Sequence, residues 1–72
     1  MTPARVKNRV QRMDSSTLLE WADLAASGMQ RQLDDFRRSP DESHLGEIQV
    51  ALVTMGAVVD ELAERMRQRR ES

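Results

Sequence analysis

Apolar and polar positions alternate along this chain with the period of a helix, in three successive stretches. Val6, Val10 and Met13 recur at spacings of four and three, one narrow stripe on a short helix over 3–13. Thr2-Pro3 opens it, with a hydroxyl at the N-cap and a proline at the first helical position, where the missing N–H costs nothing. Leu19, Ala22, Ala26, Met29, Leu33 and Phe36 then follow at 3-4-3-4-3 and predict a helix over 16–38. Its cap lies within Asp14-Ser15-Ser16-Thr17, and Thr17 and Glu20 have the spacing of a capping box. Leu45, Ile48, Leu52, Met55, Val59, Leu62 and Met66 repeat at 3-4-3-4-3-4 and predict a third helix over 40–68. Ser39-Pro40-Asp41-Glu42 opens that helix with an N-cap hydroxyl, a proline and acids in the first turn. Pro40 also ends the preceding helix, because it disfavours helical geometry at Ser39. The β-branched residues between Val50 and Val59 would suit a buried strand, but the heptad continues on both sides and favours helix.

So short a connection near 38–40 makes the two long helices an antiparallel hairpin. The expected fold is all-α: a helical hairpin plus a short N-terminal helix, one domain over 1–72. In this register Leu33 and Phe36 face Leu45 and Ile48, Met29 meets Leu52, Ala26 meets Met55, and Leu19 lies near Leu62. Ala22 and Ala26 are small enough for the helices to approach closely.

The seam leaves apolar surface over. Val50, Val53 and Ala57 form a second stripe on the third helix, widened by Ala51, Gly56 and Val58. A helix apolar nearly all round is buried nearly all round. On the second helix, Leu18, Trp21, Leu24, Ala25 and Gly28 flank the seam. A chain of 72 residues buries only about 60% of its unfolded surface and is marginal alone. The expected solution is a dimeric helical bundle, since a two-fold axis makes one patch self-complementary. Its interface takes in Val50, Val53, Gly56 and Ala57 together with Leu52, Met55 and Val59, and Gly56 marks a close crossing. The N-terminal helix folds back with Val6, Val10 and Met13 over Trp21 and Leu24. Those two residues are the candidates for contact with a different protein, because a tryptophan at a rim is a typical interface anchor.

Composition narrows the chemistry. There is no cysteine, so disulfides and thiolate metal sites are excluded. Trp21 and Phe36 are the only aromatic residues, so the core is aliphatic, with Met13, Met29, Met55 and Met66 as fillers on the stripes. Net charge is −1, but an acidic middle sits between two basic ends. Ten arginines against one lysine suggest a GC-rich genome, that of a bacterium such as an actinobacterium or of its phage. No apolar segment follows the charged N-terminus, and the run Val50 to Val59 is about half of what spans a bilayer. A cytoplasmic protein without a membrane partner is expected.

No stretch carries an enzyme's signature. His44-x-x-Glu47 offers two ligands one turn apart, which do not make a catalytic metal site. Asp34-Asp35 and Asp60-Glu61 alternate with basic residues as solvated faces do, and Ser15-Ser16-Thr17 is a cap. No cofactor is expected. The alternative to a protein-binding accessory factor is nucleic-acid binding by Arg5, Arg9 and Arg12 with Arg65, Arg69 and Arg70, which the hairpin brings to one end. Against it, the chain is acidic overall and has no stacking aromatics beside those arginines.

Overall fold

The structure, a computed structural model, describes residues 8–71, and within them every regular element is a helix. Residues 8–11 form α1, Ser15–Arg38 form α2 and Glu42–Glu71 form α3. Thr2, Pro3, Arg5 and Val6 lie outside the described residues. The two long helices pack side by side as a hairpin. The His44 ring bonds the Gln32 side chain at 2.8 Å near the turn, and Arg65 reaches Ser15 Oγ at 3.1 Å at the far end, so the helices run antiparallel. His44 is thus a half-buried seam residue.

Both long helices start on an aspartate. Asp14, not a Thr17–Glu20 box, caps α2: its carboxylate accepts the Thr17 N–H at 2.8 Å. At the turn, Ser39 ends α2 by donating its N–H to Asp35 O at 2.8 Å. Asp41 then accepts the Ser43 N–H at 2.9 Å, so α3 begins two residues beyond the expected proline start. A carboxylate outcompetes the Ser39 hydroxyl because it is charged and meets the positive end of the helix dipole. The Thr17 hydroxyl and backbone N–H hold the Asp14 carboxyl below its usual value, with Arg65 adding attraction. The Ser43 N–H and hydroxyl do the same for Asp41, helped by His44. A carboxyl whose pKa is lowered by folding stabilises the fold fully above its unfolded pKa, near 4. That contribution is lost as pH falls through the lower folded value. A D14N/D41N variant keeps capping oxygens that do not titrate, so its stability falls less than the parent's between neutral pH and acid. Thermal melts across that range check this, and identical acid limbs would refute it.

The seam differs from the expected heptad by a turn of the helices. Val10, Leu18 and Val58 are the fully buried apolar residues among those described, with Met13, Trp21, Ala22, Ala57 and Leu62 packed around them. Ala25 and Ala51 also face inward and are half-buried. Leu19, Leu33, Leu45, Leu52, Val59 and Met66, the expected seam, are left exposed, and so is Ala26. The physical cause is the third partner. Val10 lies on the Leu18 and Val58 side, and burying all three together rotates both long helices toward that side. Small Ala25 and Ala51 permit the rotation. Ala22, Met29, Phe36, Ile48, Met55 and Leu62 belong to both arrangements and stay half-buried. The result is a rod of 50 × 20 × 16 Å with a radius of gyration of 14.2 Å, against about 11 Å for a compact domain of this length.

Candidate interaction site

Rotation of the seam leaves apolar residues on both flanks of the hairpin. At 100° per residue, positions that lead the seam in two antiparallel helices share one flank, and those that trail it share the other. One flank, the heptad face, carries Leu19 and Leu33 from α2 and Leu45, Leu52, Val59 and Met66 from α3. Leu52 is 55% exposed, Val59 52% and Met66 57%. Gly56 and Ala63 lie between these side chains along α3 and are exposed too. A Cβ built on Gly56 meets nothing within 4 Å, so within one chain this glycine marks no close crossing.

The opposite flank is an open groove of about 350 Å³ between α2 and α3. Trp21, Leu24, Ala25 and Gly28 form one wall, Val50, Ala51 and Thr54 the other, with Arg9, Gln32 and Glu47 along its edges. Leu24 is 70% exposed at its rim. Trp21 is half-buried, packed on the core and covered by the Arg9 guanidinium at 5.2 Å from the ring centre. Part of this tryptophan's surface is therefore satisfied within the chain, and Leu24 is the freer of the two partner-contact candidates. The expected cover of Leu24 by the N-terminal helix is not made by the described residues.

The seven residues expected at a self-interface are thus divided. Leu52, Met55, Gly56 and Val59 lie on or beside the heptad face, and Val50 lines the groove. Ala57 is half-buried against the core. Val53 falls behind α3 between the two flanks, in a shallow trough with Gly56, Ala57, Asp60 and Gln11.

The basic residues are drawn together at one end, and the centre of the cluster is Arg65. It pairs with Glu61 at 2.9 Å, bonds Ser15 Oγ, and donates to the carbonyl oxygens of Val10 and Met13. This guanidinium latches the α1–α2 turn to α3 and is committed within the chain, a role that the sequence pattern did not disclose. Arg67 pairs with Glu64, while Arg12 and Arg70 are exposed. Asp34 and Asp35 pair with Arg37 and Arg38 one turn on. Among the described residues, no group of three or more His, Asp or Glu could hold a metal ion, and no helix is long and apolar enough to cross a membrane.

No protein-family model, curated protein or solved structure matches the chain. The accessible surface is 5601 Å², against roughly 4,500 Å² for a compact chain of this mass. The difference is on the scale of the ~800 Å² that each partner buries in a standard protein interface.

Proposed function

We propose that this is a small self-associating helical protein that acts by binding another protein, as a regulatory or accessory factor without catalytic activity. The observation that carries this reading is apolar surface on opposite flanks of one thin hairpin, so that a single neighbour cannot cover both. Large exposed patches of this kind mark interaction sites in soluble chains. A chain whose fully buried described core is Val10, Leu18 and Val58 gains stability from any partner that binds the folded form. The heptad face suits a second copy, because it repeats along both helices. The groove suits an amphipathic helix of a different protein, with Leu24 and Val50 as apolar rims and Gly28 allowing close approach. At the basic end Arg65 and Arg67 are held in pairs with Glu61 and Glu64, which supports protein contact over phosphate contact as the main activity.

Capture from an extract of the encoding organism tests the reading, with the parent compared to Leu24→Glu. Leu24 is exposed, so the variant keeps its helix content and its self-association. The parent is expected to retain a defined protein that the variant loses. Retention of nothing, or of the same proteins by both, would sink the groove as a binding site.

A further inference from the structure

We propose that a second copy seats on the heptad face with the two α3 helices antiparallel, about a two-fold axis near Gly56. The proposal deepens the self-association just described and rests on it. Three observations set the direction.

The first is the order of side-chain sizes. On the heptad face α3 presents Leu45, Gln49, Leu52, Gly56, Val59, Ala63, Met66 and Arg70, at alternating steps of four and three. Large residues hold one heptad position, and small or polar ones hold the other. In a parallel pair each layer meets its own kind, so Gly56 would face Gly56 across a hole and Arg70 would face Arg70. In an antiparallel pair the two positions meet each other. Leu52 then stands against Ala63, and Val59 against Gly56, so large fills small in successive layers. The open space around Gly56 in the single chain is the room into which the partner's valine fits.

Charge is the second. Asp41 and Glu42 stand at the start of α3 and the exposed Arg70 at its end, where Arg65 and Arg67 are already paired with Glu61 and Glu64. Antiparallel pairing sets the acidic start of each α3 beside the basic end of the other, and aligns their helix dipoles favourably. Parallel pairing sets like against like at both ends.

Area is the third. The heptad face extends from Leu45 to Met66, over 30 Å of helix at ~1.5 Å per residue, with Leu19 and Leu33 widening it from α2. That length and width are what an interface of about 800 Å² a side requires. α1 packs on the Ala57 and Trp21 side, and its Val10 and Gln11 border a trough that reaches Leu52 and Gly56 at the edge of the face.

The chain has no cysteine, so single cysteines report the pairing directly. Gln49→Cys and Ala63→Cys are exposed positions on the face. With a short bis-maleimide, an equimolar mixture of the two variants is expected to yield cross-linked dimer, and each variant alone little. Cross-linking of each variant alone, at least as strong as in the mixture, means a parallel pair and overturns the proposal. If the variants sediment as dimers yet none cross-links, the copies meet elsewhere: this proposal falls and self-association stands. If they and the parent sediment as monomers at every concentration, both fall.

Discussion

Leu52→Asp and Val59→Asp should each convert the protein from dimer to monomer. Each side chain is half exposed in one chain and enclosed when a second copy covers the heptad face. By two-fold symmetry every substitution acts twice. Losing the residual burial of one leucine or valine forgoes about 1 kcal/mol, and placing a carboxylate against apolar side chains costs more. Together the two copies are expected to cost about 3 kcal/mol or more, on the order of 100-fold or more in the dimer Kd. The single chain itself loses the helix-propensity difference, roughly 0.5 kcal/mol, and the part of the side chain it already covers, about 1 kcal/mol. Sedimentation over a range of concentrations reads this out, and so does melting. The parent Tm should rise with concentration, as it must when the folded form is the associated one, and the variant Tm should not. Leu24→Glu is the control, because Leu24 lies on the opposite flank, at the rim of the groove. A Leu52→Asp protein as dimeric as the parent would refute the assignment of this flank to a second copy.

Arg65→Ala should be the most damaging single change within the chain. The Arg65 side chain is 26% exposed, pairs with a Glu61 side chain that is 16% exposed, and donates to the Val10 and Met13 carbonyls where α1 turns into α2. Hydrogen bonds to a charged donor contribute about 1.5–3 kcal/mol each when a partner is removed. With several lost together and some carbonyls reached by water afterwards, a loss of about 2–4 kcal/mol is expected. For a domain this small that lowers Tm by on the order of 10–20 °C. Arg65→Lys keeps the charge for Glu61 but lacks the fork that reaches both carbonyls and Ser15, so it should fall between. The signature separating a lost latch from general unfolding is local. Trp21, which packs beside Val10 and under Arg9, should become more solvent-exposed while most of the α2–α3 helicity persists. Unchanged Tm and Trp21 emission in Arg65→Ala would refute the latch.

The periodic signal reveals helices reliably here because apolar residues at i, i+3 and i+4 need no knowledge of what lies opposite them. It does not reveal which of two neighbouring stripes faces inward. Ala22, Met29, Phe36, Ile48, Met55 and Leu62 serve either stripe, so the choice falls to Val10, which selects Leu18 and Val58 over Leu19 and Val59. That choice is tertiary, and nothing in the spacing of α2 or α3 encodes it. The caps were partly legible: the strings around Asp14 and Asp41 mark helix starts, but the competition among neighbouring hydroxyls and carboxylates is decided by charge and geometry. Arg65 was legible only as one of several clustered arginines. Its role comes from the Val10 and Met13 carbonyls where α1 ends, the first of which also accepts the Met13 N–H, and backbone acceptors carry no sequence signature.

Val10, Leu18 and Val58 all sit toward the end of the rod where Arg65 fastens α1. Toward the turn at Ser39 the helices are joined by half-buried side chains and the His44–Gln32 bond, with no fully enclosed apolar residue among those described. The hairpin is therefore closed at one end by its core and Arg65 and at the other by the short covalent connection, so the stretch between them, held by half-buried side chains, is the easiest to part. In the proposed antiparallel pair, the core end of each copy would lie alongside the connection end of the other, bracing the weakly packed stretch from outside.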